Sequence, residues 1–198
     1  MFILGTVPHN VQPCVAQVGE TGIIMSDNRK YKFSWDVIGA DMALARPNLG
    51  PMLRIELYRL FQFTIRDILE QRYGTNATDE IFREAGDLAG REFFKQFCSD
   101  AKDLNTLVKI LTDAFKELGL GIFRVEAADT DKLEFTLTVE EDLDCSGLPD
   151  IEGVICIYDE GFIKGILDSF TGRDFQVAEV DCWCTGARTC RFEAKLSS

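Results

Sequence analysis

The chain has 198 residues, of which 46% are hydrophobic and 27% charged, globular averages that argue against disorder and allow a sizeable core without disulfides. No apolar run reaches the ~18 residues of a membrane-spanning helix, and seven cysteines without an export signal favour a reducing cytoplasm. The net charge is −12, and residues 126–198 carry 17 acidic and 6 basic side chains. This acidity disfavours direct binding to nucleic acid and to anionic membrane surfaces.

Residues 1–50 are predicted to form an N-terminal β arm. Short apolar stretches at 11–18 and 22–25 alternate with turn residues, and a further β piece is predicted at 31–34. Residues 35–50 are expected to be irregular. Extended arms often pair with a second copy, so the arm suggests a homodimer. The only histidine, His9, lies in this arm and is interpreted as a surface residue.

Residues 51–118 show the period of amphipathic helices. The first helix is predicted to begin near Pro51 and to end at Gly74, and its long apolar pattern places it at the centre of the fold or at an interface. The second is predicted at about 78–97, where two glycines four residues apart give a smooth face that lets another element come close. The third is predicted at about 103–118.

The period then changes from 3.6 to 2. Residues 122–127 and 133–139 are predicted to form an antiparallel hairpin, and residues 175–182 and 190–194 a second one. A helix is predicted between the hairpins, at about 157–170. Helices first, then a mostly antiparallel sheet with one inserted helix, indicate an α+β fold rather than a doubly wound α/β fold. Residues 51–198 are predicted to form one domain after the arm.

Catalytic motifs are poorly represented. No Ser-His-Asp or Cys-His set can be assembled, because the single histidine lies far from the other candidates. The sequence has no GxGxxG, Walker lysine loop or HExxH motif. A binding protein is therefore predicted rather than an enzyme.

The end of the chain contains four potential metal ligands. Cys156, Glu179, Cys182 and Cys190 follow one another at intervals of 23, 3 and 8 residues, and a helix followed by a hairpin would bring them to one point. Thiolate and carboxylate are zinc ligands, and four protein ligands make a closed, structural site. The hypothesis is one zinc that holds the last helix to the last hairpin. The alternative, that the cysteines are small buried hydrophobic residues, stays open at this point.

The same region resembles the 4-vinyl reductase domain family. The resemblance is carried by Cys156-Ile-Tyr-Asp-Glu-Gly-Phe-Ile-Lys-Gly-Ile-Leu, by Val180-Asp-Cys182 and by Gly186-Ala-Arg-Thr-Cys190-Arg-Phe, and it covers residues 120–196 well. Phenol-sensing members of the family, which are the input domains of aromatic-responsive transcriptional activators, bind zinc through Cys, Glu, Cys and Cys. The resemblance therefore implies zinc ligands at Cys156, Glu179, Cys182 and Cys190.

The resemblance also implies an apolar cavity next to the zinc site, because related domains bind haem or enclose acyl chains between helices and sheet. The 15 phenylalanines agree with such a pocket, since small-ligand pockets are mostly apolar with a few polar groups. Tyr158 or Trp183 is a candidate for the polar anchor. The candidate ligand-binding residues are Phe93, Phe97, Phe123, Phe135, Tyr158, Phe162 and Ile166.

The sequence departs from the phenol sensors in two ways. Those sensors hold the phenolic hydroxyl with a histidine and a tryptophan, and neither occurs at a matching place here; position 135, near the tryptophan, is Phe. A less polar hydrocarbon, lipid or tetrapyrrole-like ligand is therefore favoured over a phenol. Cys184, which would face the same way as Cys182 on a strand, and more weakly Cys145, are alternative zinc ligands.

Together these features predict a cytoplasmic, zinc-containing domain that binds and senses a small hydrophobic molecule. It is expected to form a homodimer and to signal to a partner or fused output domain, without contacting nucleic acid or membrane. One alternative is a protein associated with the vinyl reductase of the tetrapyrrole pathway. Another is a haem-based gas sensor, with His9 or a cysteine as axial ligand.

Overall fold

The computed structural model of the protein describes residues 30–39, 41–151 and 153–197. Ser34–Ser198 forms one compact unit in which helices precede an antiparallel sheet, and this confirms the predicted α+β class. Most of the predicted arm, including His9, lies outside the described residues, so its β pieces and its role in dimerisation stay predictions.

The described part begins with two single-turn helices, α1 (Asp36–Gly39) and α2 (Met42–Ala45). The predictions for this segment were wrong. Residues 35–50 are not wholly irregular, and residues 31–34 have no regular secondary structure. A strand requires a partner, and none pairs with residues 31–34 in the part of the chain that the structure describes. Instead, Trp35 anchors the segment by packing edge-on against Phe93 and Phe97, with ring centroids 6.2 and 5.1 Å away.

Three long helices follow: α3 (Ile55–Tyr73), α4 (Thr75–Phe93) and α5 (Leu104–Leu118). Gly74, at φ 82°, separates α3 from α4, which confirms the predicted stop. α4 ends before residue 97, because a wider π-helix takes over at Phe94–Cys98. α5 is capped as its sequence suggests, since the Asp103 carboxylate accepts a hydrogen bond of 2.8 Å from the Thr106 backbone N–H.

The sheet among the described residues has four antiparallel strands in the order β1-β2-β4-β3. The strands are β1 (Ile122–Asp129), β2 (Glu134–Glu140), β3 (Phe175–Asp181) and β4 (Cys190–Leu196). Both predicted hairpins are confirmed, and pairing of β2 with β4 joins them. Helix α6 (Ile157–Thr171) connects β2 to β3, as predicted.

One face of the sheet is buried and the other carries charged pairs. On the buried face, Phe123, Leu137 and Phe192 pack with side chains of α5 and α6 in a continuous apolar core. On the other face, Arg191 donates to Glu126 at 2.6 Å. The core therefore lies between a single sheet face and the helices, where a cavity can form without contact with the charged face.

Helices α4 and α6 approach each other at backbone distance. Gly86 and Gly90 of α4 face the backbone of Tyr158 and Phe162, and Gly161 of α6 faces the backbone of α4 in return. The close approach predicted for the α4 glycines is therefore confirmed. Two ion pairs lie beside the contact: Arg83 with Glu160 at 2.7 Å, and Arg91 with Asp168 at 2.6 Å.

Among the described residues, no helix combines the length and the apolarity that crossing a bilayer requires.

Candidate metal centre and apolar cavity

Four cysteines converge at the end of α6 nearest its N-terminus. Cys145 lies in the loop after β2, Cys156 is the N-cap of α6, Cys182 follows β3 and Cys190 opens β4. All four are fully buried, and their sulfurs lie within 4.8 Å of one another. We call these residues the thiol cluster. Three of them are predicted zinc ligands, and Cys145 is the residue that the sequence offered only as a weaker substitute.

The thiol cluster has the dimensions of a tetrahedral metal site. The sulfur of Cys190 lies 3.1 Å from that of Cys145 and 3.7 Å from that of Cys156, and the sulfurs of Cys156 and Cys182 are 3.9 Å apart. A tetrahedral ion with bonds of about 2.3 Å to sulfur would hold its ligands about 3.8 Å apart. The donor set therefore fits zinc in type and in spacing.

The electrostatics of the thiol cluster favour one thiolate among hydrogen-bonding thiols. Hydrogen bonds from Cys145, Cys156 and Cys190 hold the pKa of Cys182 below its usual value. The same network, with burial, raises the pKa of Cys156 and of Cys190. A divalent ion removes this competition, because it stabilises every coordinating sulfur in the thiolate form.

Glu179 lies beside the thiol cluster but outside the group of four. The strand β3 alternates buried and exposed residues, so Glu179 points into the core with Phe175 and Val177. Its Oε2 accepts a hydrogen bond of 3.0 Å from the Cys156 backbone N–H, while its Oε1 is buried without a hydrogen-bond partner. Burial and the neighbouring Cys182 raise the pKa of Glu179 to about 8. Its predicted role as a zinc ligand stays a prediction.

Cys184 is fully buried and lies in a short 3₁₀ helix, Trp183–Thr185, rather than on a strand. Because the chain turns after Cys182, Cys184 does not join the thiol cluster. Burial, and then the charge of Cys182, raise the pKa of Cys184 to about 12.

Two acidic residues that the sequence did not single out adjoin the thiol cluster. Donor atoms of Asp142, Asp159 and Cys156 lie within 4.8 Å of one another, and the Asp142 Oδ1 is 3.8 Å from the Cys156 sulfur. Asp142 also accepts hydrogen bonds of 2.8 and 3.0 Å from the backbone N–H groups of Asp144 and Cys145. The acidic run before Cys145 is the sequence signal that could have found them.

Helix α3 docks onto this acidic loop through polar side chains. The Tyr58 hydroxyl donates to Asp144 at 2.8 Å, and the Gln62 amide donates to the other oxygen of Asp144 at 2.7 Å. The Arg59 guanidinium donates to the Leu143 carbonyl at 2.8 Å. Burial, and then the Asp144 carboxylate, raise the pKa of Tyr58. One polar edge of α3 is thereby fixed beside the thiol cluster.

An apolar cavity lies between α5, α6 and the buried face of the sheet. The volume open to a water-sized sphere is about 20 Å³, roughly one water molecule. Three predicted ligand-binding residues line it: Phe123, Phe135 and Ile166. The other lining residues, all apolar, are Leu104, Leu107, Val108, Leu111, Phe115, Val125, Leu137, Ile163 and Leu167.

The other four predicted ligand-binding residues form an adjoining aromatic cluster. Phe93 lies 4.6 Å from Phe97 and 5.1 Å from Phe162, measured between ring centroids, and Phe162 stacks on Tyr158 at 6.5 Å. Phe115 joins this cluster to the cavity, because its ring contacts Phe162 as well as the cavity residue Phe123. Phe115 was missed as a site residue, although it falls on the apolar face of α5.

Neither proposed polar anchor lines the cavity. Trp183 donates its indole N–H to the Leu148 carbonyl at 3.0 Å and stacks under the Arg188 guanidinium. Burial, and then Asp159, raise the pKa of Tyr158 to about 12. The cavity walls therefore offer a ligand apolar contacts.

The resemblance to the 4-vinyl reductase domain family is confirmed at the level of the domain, because residues 135–196 match the model of that family. Two proteins of Methanocaldococcus jannaschii, both described as uncharacterized, are also similar. MJ1642 is 30% identical over 88 residues, which is 44% of this chain and 52% of that protein. MJ0150 is 22% identical over 107 residues, which is 54% of this chain and 61% of that protein. The chain thus spans only about half to three fifths of these relatives.

Solved structures show the same fold at low sequence identity. The phenol-responsive sensory domain of the transcription activator PoxR, solved with phenol, is 15% identical with a TM-score of 0.59 and covers 73% of this chain and 75% of its own. A vinyl-4-reductase family protein from M. jannaschii is 20% identical with a TM-score of 0.52 and covers 75% and 85%. A trafficking protein particle complex subunit 3 from Naegleria fowleri, covalently bound to palmitic acid, is 15% identical with a TM-score of 0.55 and covers 73% and 95%.

Proposed function

We propose that this chain, through its 4-vinyl reductase domain, is a zinc-containing protein that binds and senses a small hydrophobic molecule. The observation that carries the proposal is the cavity between α5, α6 and the sheet, whose lining is apolar throughout. Small-ligand sites are concave and mainly apolar. The similar structures include a phenol-responsive sensory domain and a subunit bound to palmitic acid, which supports ligand binding in this fold.

The lining favours a hydrocarbon or an alkyl chain over a phenol. Burying a hydroxyl without a hydrogen-bond partner costs about 1–3 kcal/mol, which corresponds to a roughly 5- to 150-fold loss of affinity. Phe135, which stands near the position of the tryptophan in phenol sensors, lines the cavity with its ring and offers no donor. Toluene should therefore bind this domain more tightly than phenol.

Calorimetric titration of the full chain with toluene and phenol tests the ligand class. Val125→Phe should abolish toluene binding, because Val125 lines the cavity and is only partly buried, so that a larger side chain fills the space without breaking the core. Val180→Phe is the matched control, since Val180 is 44% exposed on β3. Phenol binding as tightly as toluene, or toluene binding that survives Val125→Phe, would contradict the proposal.

We propose zinc as the metal of the thiol cluster. Cys156, Cys182 and Cys190 are common to the sequence prediction and to the group of four sulfurs, and the fourth ligand is Cys145 or Glu179. Zinc content per chain separates the two: Cys145→Ser should lower zinc affinity if Cys145 is the ligand, and Glu179→Gln should do so if Glu179 is. A wild-type protein without zinc would refute the metal centre itself.

We propose that the domain acts as a homodimer that passes ligand occupancy to a partner or output domain. Helix α3 supports this, because it has no buried residue and exposes Leu57, Leu60, Phe61 and Ile68 along one side. Exposed apolar patches of this kind mark interfaces. Sedimentation should show a dimer for the wild type and a monomer for Phe61→Glu, whereas Leu118→Glu on α5 should remain dimeric. A monomeric wild type would exclude the dimer.

A further inference from the structure

We infer that a second divalent cation of the zinc class binds beside the thiol cluster, held by the carboxylates of Asp142 and Asp159 and by the Cys156 thiolate, which bridges the two ions. The inference rests on the proposed zinc centre, because Cys156 belongs to both groups. Nothing in the sequence pattern or in the comparisons assigns a role to Asp142 or Asp159.

The geometry suits one ion. The three donor atoms lie within 4.8 Å of one another, and the separation of Asp142 Oδ1 from the Cys156 sulfur is 3.8 Å. Zinc binds oxygen at about 2.0–2.2 Å and sulfur at about 2.3 Å, so two donors of the same ion lie at most about 4.5 Å apart. Side-chain adjustments of a few tenths of an ångström therefore suffice to close this group around a cation.

Buried oxygen atoms without partners point to a missing positive ligand. The Oδ2 of Asp159 is buried and has no hydrogen-bond partner. Glu179, which is 7% exposed, keeps its Oε1 without a partner while its other oxygen bonds the Cys156 backbone N–H. A buried acceptor left unsatisfied costs about 1–3 kcal/mol. A cation beside Cys156 would satisfy the Asp159 oxygen directly and would stabilise the Glu179 carboxylate through space.

The charge balance argues in the same direction. One divalent ion on four thiolates leaves a net negative charge, and Asp142, Asp144, Asp159 and Glu179 lie next to it. None of the ion pairs in the described part of the chain involves these four carboxyl groups. Unpaired buried charge is strongly unfavourable. A second cation offsets it, and the competing explanation is a proton shared by Asp142 and Asp159.

Metal stoichiometry separates these explanations. The full chain is saturated with zinc chloride, passed through a desalting column, and measured by native mass spectrometry and by elemental analysis. Two zinc ions per chain are expected for the wild type and one for Asp159→Asn. Asp142→Asn, whose amide oxygen can still accept the two backbone hydrogen bonds, should also retain one ion. Asp150→Asn, a change on an exposed loop, is the matched control and should retain two.

Each outcome decides between the proposals. One zinc in the wild type that is unaffected by Asp159→Asn and Asp142→Asn would overturn the second site and leave the zinc centre standing. Two ions in the wild type and in both variants would place the second ion elsewhere and overturn the inference equally. No zinc at all would refute both proposals. The single ion that each variant should retain also shows that the variant is folded at the thiol cluster.

Discussion

Gly161→Ala should destabilise the protein, although alanine is the better helix former. A Cβ at position 161 would lie 2.8 Å from the Arg83 carbonyl carbon and 2.8 Å from the Asp87 backbone nitrogen, and closer still to the Arg83 carbonyl oxygen, whereas ordinary contacts begin at 3.4 Å. These atoms belong to the backbone of α4, so relief requires α4 and α6 to separate by at least 0.6 Å. Forcing extra carbon into a packed interior costs about 1–3 kcal/mol, and a backbone clash lies at the upper end.

The gain in helix propensity recovers about 1 kcal/mol, so a net loss of about 2 kcal/mol is expected. For a chain of this size that loss lowers Tm by roughly 4–8 °C. Differential scanning calorimetry of Gly161→Ala should show the shift, and Gly39→Ala, where an added Cβ meets nothing within 4 Å, should not. Gly86→Ala should add less in the double variant than alone, because the helices are already separated. A Gly161→Ala protein as stable as wild type would refute the backbone contact.

Three other outcomes follow from the described contacts. Asp168→Ala should cost about 3 kcal/mol in urea denaturation, because Asp168 accepts from the Phe175 backbone N–H at 2.8 Å and pairs with two cations; Asp174→Ala, at an exposed position, should change stability little. Tyr58→Phe should cost about 1.5–3 kcal/mol by the same assay, since it removes a hydrogen bond to the buried Asp144 carboxylate. Zinc release should rise steeply as pH falls, because thiolate ligands must reprotonate to leave; a chelator titration that shows no pH dependence would exclude thiolate ligation.

Local sequence signals predicted the elements well wherever one face is buried. Strand alternation in β1 to β4 and the cap residues of α5 gave the hairpins and helix ends, because period and capping are local properties. The π-helix at 94–98 was not predictable, since a single wider turn leaves no distinct pattern. The single-turn helices at 36–45 were missed because contacts of Trp35 with distant aromatic rings, not local propensity, hold that segment.

The candidate site was predictable in part. Cys156, Cys182 and Cys190 were found by spacing and resemblance, and the structure brings them together. Cys145 was underrated, because it lies in an irregular loop whose path depends on hydrogen bonds to Asp142 rather than on any repeat. The aromatic candidates were divided between the cavity and the cluster beside it, since sequence period identifies the buried face of a helix but not which buried residues border a gap.

The cavity and the proposed metal centre share one helix, and this determines which wall can yield to a ligand. α6 is fixed at its start by Cys156, along its length by the backbone contact with α4, and at its end by the hydrogen bond from Phe175 to Asp168. α5 contributes one apolar face to the cavity and exposes the other. An aromatic ring needs a cavity of roughly 150 Å³, far above the space present, so ligand entry must displace α5 or its side chains. A rigid α6 and a compliant α5 would convert occupancy into a movement that a partner can detect.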